Sequence, residues 1–163
     1  MSLADLSAWF STGMVHDWVI GQAWVFPSME TAHFIGLSLL FGALLIVDGR
    51  VLGLCKFVNM AESMKFIPVA IIGFAINLIS GYVFLSSDPD SYLYNLGFQW
   101  KMILIAIAGV NALWFWLGEH EELKKLADGA DAPFRAKVIA LASLVLWVGV
   151  IILGRMIPYA DNI

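Results

Sequence analysis

Residues 30–54 read ETAHFIGLSLLFGALLIVDGRVLGL, and this stretch decides the fold class. The run is long enough to take an α-helix across ~30 Å of hydrocarbon, which needs about 20 residues. Three similar runs follow, at about 66–85, 98–117 and 136–157. In lipid every backbone N–H and C=O must be satisfied internally, so all four runs are predicted to be helices. The composition agrees: 61% of residues are hydrophobic, 13% are charged, and the charges gather in short stretches between the runs. Amphipathic surface helices would instead spread charges along one face. The prediction is an all-α, integral membrane four-helix bundle, a single transmembrane domain over residues 1–163.

Arg50, Lys56 and Lys65 follow the first run, and Lys124, Lys125, Arg135 and Lys137 follow the third. Residues 86–91, SSDPDS, are acidic and carry no Lys or Arg. The positive-inside rule then predicts an N-out/C-out topology. Ahead of the first run, residues 1–28 carry Trp9, Phe10, His16, Trp18, Trp24 and Phe26 among polar residues and close with Pro27-Ser28. Tryptophan favours the headgroup boundary, so this segment is predicted to form one or two interfacial helices, with Ser28 capping the first span. It lacks the basic and long apolar regions of a signal peptide, and the spans are expected to direct insertion. The net charge of −4 offers no basic face for a phosphate backbone, so nucleic acid is not an expected partner. Cys55 is the sole cysteine, which excludes an internal disulfide and a cysteine-pair metal knuckle.

An ionisable side chain inside a span costs about 2.5–3.5 kcal/mol on insertion scales, so each one is a candidate for function. His33, Lys101 and Arg155 share a depth near the outer side, with Glu30 three residues before His33 on the same helical face, and Tyr82 and Tyr159 reaching that level. Deeper in the second span, Gly73, Asn77 and Gly81 form a strip at helical spacing. Such a strip admits either a neighbouring helix or a planar cofactor. Asn111 in the third span is placed to hydrogen-bond Asn77 across helices. Asp48 and Arg50 are expected at the inner headgroup level, paired with charges of the cytoplasmic loops. His120 is expected in solvent; His16 is expected in solvent at the outer surface or folded over the mouth of a His33 site. Ser38, Ser80 and Ser143 have no histidine at their expected depth to activate them, which argues against a hydrolytic site.

A histidine facing a bundle interior suits haem iron or a transition metal. Lys101 and Arg155 would neutralise haem propionates, and Met29, Met102 or Met156 would supply a second axial ligand. The same sulfurs with His33 would suit copper, since thioethers select Cu(I). A third reading has His33 hydrogen-bonded to Glu30 or another polar partner and binding nothing.

His33, the stretch GLSLLFGALLIVDGR at 36–50, Lys101 with Asn111 ten residues later, and GRMIPY at 154–159 together resemble uncharacterised bacterial four-span membrane proteins. More distantly they resemble the copper-resistance protein D family and the HemJ-type protoporphyrinogen oxidases, which bind haem. In the HemJ type a histidine begins a span that ends near an arginine, as His33 and Arg50 do, and a lysine begins a later span, as Lys101 does. The chain departs from that pattern at Asn111, where the HemJ type tends to have a histidine. The resemblance implies His33 as axial ligand, Lys101 as its polar neighbour, and residence in the bacterial inner (cytoplasmic) membrane as a multi-pass protein. The expected function is haem b binding with an electron-transfer or redox role. The alternatives are a copper-binding or transport protein, or a non-catalytic subunit that assembles through its helices as a homo-oligomer or with a redox partner protein.

Overall fold

The computed structural model describes residues 2–127 and 129–162. All regular structure among them is helical: α1 (Leu3–Ser11), α2 (Met14–Gly21), α3 (Val25–Leu52), α4 (Met60–Met64), α5 (Ile67–Ser87), α6 (Pro89–Leu93), α7 (Leu96–Gly118), α8 (His120–Leu123) and α9 (Phe134–Met156), followed by a 3-10 stretch over Ile157–Asn162. Four helical segments, Val25–Leu52, Met60–Ser87, Leu96–Gly118 and Phe134–Tyr159, are long and apolar enough to cross a bilayer, and the chain is a multi-pass membrane protein.

Helices α3, α5, α7 and α9 fall within a few residues of the predicted limits, and the largest departure is at the start of α3. This helix begins at Val25, five residues before the predicted limit, and its N-cap is Trp24, which makes no side-chain capping bond. Ser28 therefore does not cap the span; it lies inside the first turn, its N–H bonded to the Trp24 carbonyl. Pro27 is no obstacle there, because the first N–H groups of a helix have no partner to lose. At 28 residues α3 is roughly 42 Å long, beyond what the hydrocarbon requires, so its ends reach headgroup level. It stops at Gly53, whose φ of 86° is left-handed and whose N–H returns to the Arg50 and Gly49 carbonyls.

The predicted interfacial segment is α1 and α2. Ser2 and Asp5 form a reciprocal capping box on α1. Both helices pack across the end of the bundle that carries the acidic loop, against α5 and α6. Ser7 donates to Asp90 (2.6 Å), and His16 donates its Nδ1–H to the Ser86 carbonyl (2.7 Å). His16 is thus half-buried and bonded to backbone rather than freely solvated. It ties α2 to the end of α5.

Helix α3 packs most extensively against α5, α7 against α9, and α3 also against α9; α5 and α7 stand apart. The α3–α5 contact is backbone on backbone. A Cβ added to Gly73 would stand 2.5 Å from the Gly36 carbonyl oxygen and from the Leu40 nitrogen. Small residues let helices approach this closely in lipid.

At the opposite, basic end, Val47, Val51, Met60, Met64, Leu123, Ala132, Ala136 and Ala140 form a buried cluster beneath the loops. Asp131 pairs with Lys56 (3.0 Å) and Lys137 (3.5 Å), and the hydrogen bond from Lys56 with the charge of Lys137 holds its carboxyl below the usual range. Arg50 departs from expectation. It is wholly buried and pairs with carbonyls rather than loop charges: Nε donates to Val58 (2.6 Å) and Nη2 to Ala130 (3.2 Å). Asp48 is also buried, and its Oδ2 has no hydrogen-bond partner. His120 is buried rather than solvated, stacked on Trp116 with centroids 4.1 Å apart and paired with Glu121 at 3.1 Å. Burial, followed by the charge of Lys124, lowers its imidazole pKa below the ordinary value.

Candidate functional site

The acidic half of the bundle brings His33 of α3 against α5. Its Nδ1 lies 2.8 Å from the Ser80 hydroxyl, and its ring lies 5.4 Å from that of Phe84. Its polar partner is therefore Ser80 and not Glu30. This contact also overturns the expectation that Ser80 has no histidine at its depth. The pair is nevertheless not arranged as a nucleophile and base. Ser80 is almost wholly buried, and its hydroxyl donates to the Ile76 carbonyl one turn back (2.7 Å), with the Asn77 carbonyl at 3.3 Å. A hydroxyl has one proton to give. With that proton directed to the backbone, Nδ1 of His33 is the donor to Ser80, and Nε2 keeps its lone pair.

Lys101 of α7 lies half-buried across α9, its Nζ 3.2 Å from where a Cβ on Gly154 would stand. It makes no ion pair among the described residues, and its charge reaches His33. Arg155 is exposed and turns to its own helix end: its guanidinium lies 5.6 Å from the centre of the Tyr159 ring, and Nη2 is 3.5 Å from the Tyr159 hydroxyl. Of the two predicted cations, Lys101 is the one that lies half-buried in the bundle.

The glycine strip divides. At Gly73 the close neighbour is α3, so no room is left there for a planar cofactor, and that assignment is corrected. At Gly81 an added Cβ would meet nothing within 4 Å. Between them, both polar atoms of the Asn77 side chain are buried without a partner. The expected Asn77–Asn111 bond does not form, because Asn111 donates across to the Ile139 carbonyl of α9 (3.2 Å). Asn111 belongs to the α7–α9 pair and Asn77 to the α3–α5 pair. The gap between α5 and α7 separates them.

Among the sulfurs, Met29, one turn before His33, packs on the buried cluster of Val19, Val25 and Val83. Met102 and Met156 are exposed on the outside of the bundle, at 45% and 39%. Among the described residues no three His, Cys, Asp or Glu side chains gather as a metal site. Comparisons with protein-family models, with curated proteins and with solved structures find no match.

Sequence reasoning missed Ser80, although the signal was present. Ser80 lies three residues beyond Asn77 and seven beyond Gly73, on the stripe already identified as facing a helix.

Proposed function

We propose that this protein is a haem b protein of the membrane with an electron-transfer or redox role, in which Nε2 of His33 would hold the iron. The observation that carries this reading is the Ser80 hydroxyl, whose proton is spent on the Ile76 carbonyl, so that Nδ1 of His33 donates and Nε2 is left as a free donor atom. Metal-ligating histidines commonly use their second nitrogen in this way, which fixes the tautomer and the ring orientation. The residues present fit such a group: one oriented imidazole, the cation of Lys101 for a propionate, an open glycine at Gly81 and an unpartnered amide at Asn77. Haem supplies one-electron exchange at a potential set by its axial ligands and surroundings. His33 would hold the iron, Ser80 would aim His33, and Lys101 would anchor the acidic edge. Copper is the weaker reading, because Met102 and Met156 are exposed and Met29 is packed in an apolar cluster. By the positive-inside rule the site lies in the outer leaflet of a bacterial inner membrane, with both chain ends outside. The outward apolar surface of α7 is where a second copy or a redox partner would pack.

The test is a visible spectrum of protein purified from haem-replete cells, oxidised and dithionite-reduced, for wild type, His33→Ala and Ser80→Ala. A Soret band with reduced α and β bands is expected in wild type and absent in His33→Ala, while Ser80→Ala keeps the band at a shifted potential. A flat wild-type spectrum refutes haem binding, and metal analysis of the same sample then decides on copper.

A further inference from the structure

The basic half of the bundle contains a cavity of about 180 Å³ to which α3, α5, α7 and α9 all contribute. Its wall is almost entirely apolar and aromatic, with Phe74, Phe115 and Trp147 among the rings, and the polar groups on it are Asp48, Asn111 and Ser143. Asp48 is only 4% exposed. The Ser143 hydroxyl stands beside its carboxylate, but Oδ2 has no hydrogen-bond partner. The nearest cation in the sequence, Arg50, makes no ion pair with it among the described residues: Nε and Nη2 are on the carbonyls of Val58 and Ala130, and Nη1 is buried without a hydrogen-bond partner. Asn111 has turned its amide to the Ile139 carbonyl.

A carboxylate buried without a counter-charge is among the most costly arrangements in a protein interior. On the wall of an aromatic chamber, it matches a ligand that brings the missing positive charge. Aromatic faces add attraction for the same charge, since their quadrupoles favour cations. The entrance argues for the same class of ligand. Of the lining residues, Ile71 of α5 is 60% and Trp116 of α7 51% exposed on the outside of the bundle, and a ligand arriving between these two helices must itself dissolve in lipid. We propose that the cavity is a binding site for lipophilic aromatic cations, which enter from the membrane between α5 and α7 and are held by Asp48 as counter-ion. The proposal is independent of haem binding, because it uses other residues in the other half of the bundle.

The full chain in lipid nanodiscs, dialysed to equilibrium against radiolabelled 1-methyl-4-phenylpyridinium, tests it. Wild type is expected to bind the probe saturably. Asp48→Asn, which keeps the shape and the Ser143 neighbour, is expected to bind at least tenfold more weakly. Ala112→Phe fills the chamber from the α7 side at an exposed position, and is expected to weaken binding similarly while leaving Asp48 in place. An excess of 4-methylbiphenyl, the uncharged molecule of the same shape, should displace little of the label. Unsaturable uptake by wild type, binding by Asp48→Asn equal to wild type, or full displacement by 4-methylbiphenyl would each overturn the proposal. Should Asp48→Asn fail to fold, unchanged binding in Ala112→Phe overturns it equally.

Discussion

Replacing Gly73 with alanine tests the contact on which the α3–α5 pair rests. The new methyl carbon would stand 2.5 Å from both the Gly36 carbonyl oxygen and the Leu40 nitrogen, and all of these neighbours are backbone. Ordinary contact is about 3.5 Å, so α3 must retreat by about 1 Å or α5 must rotate. Overpacking of this kind costs ~1–3 kcal/mol, and an obstacle that cannot change rotamer points to the middle of that range or above. Alanine is also the better helix former by up to about 1 kcal/mol, which would mask part of the loss. Gly81→Ala removes the ambiguity. It lies in the same helix, gains the same propensity, and meets nothing within 4 Å. The difference between the two variants therefore isolates the clash, and Gly73→Ala is expected to be less stable than Gly81→Ala by about 2 kcal/mol. Reversible SDS titration in mixed micelles, followed by far-UV circular dichroism, measures it. If the two variants agree to within about 0.5 kcal/mol, well inside the expected clash, the backbone contact does not exist as described.

Arg50→Lys cannot reach both carbonyls with a planar fork, and the same titration should record a loss of about 1–3 kcal/mol; no loss would mean that the two carbonyls are satisfied otherwise. His16→Ala severs the bond to Ser86, so hydrogen exchange of residues 14–21 should accelerate while α3 and α5 stay protected, and unchanged exchange would show that α2 is held by something else. His120 titrates below its ordinary value in the folded protein, so as pH falls the unfolded chain takes up the proton first. The stability linked to this group is therefore complete above about pH 6.5 and is lost as pH falls from there towards the folded value. The stability of His120→Gln, measured between pH 7 and 5, should decline less than that of wild type, and parallel curves would refute the assignment.

The spans were legible because the bilayer imposes a length and a polarity that no other environment demands, and residues 30–54 meet both. Polar groups inside the spans were legible as a list but not as pairs. His33 was identified as anomalous, yet its partner is Ser80, a serine that was weighed only as a nucleophile and placed at another depth. Asp48 and Arg50 were expected to pair with loop charges because charge attracts charge. The fold instead brings two carbonyls to Arg50, at Val58 and Ala130, and these depend on loop conformations that no periodicity encodes. His120 looked solvated because it lies among Glu and Lys; its ring instead stacks on Trp116, four residues earlier in the chain. Asn77 and Asn111 fell at one depth, but depth along a helix says nothing about which spans are neighbours.

The arrangement of neighbours bears on how the protein is made. Each of the two extensive helix contacts joins spans consecutive in the chain, α3 with α5 and α7 with α9, and each pair is closed by its own loop, the first carrying Lys56 and Lys65 and the second Lys124 and Lys125. A nascent chain delivered to the membrane span by span can therefore complete its first hairpin, glycine against backbone, before the third span leaves the ribosome. The second hairpin closes in the same way. What remains for the assembled pairs is a lateral meeting of α3 with α9, held at the basic end by the Arg50 bond to Ala130 and the Lys56–Asp131 pair. Biogenesis then becomes two local folding events and one docking step. The loosely packed flank between α5 and α7 is a seam that the order of synthesis never required to close.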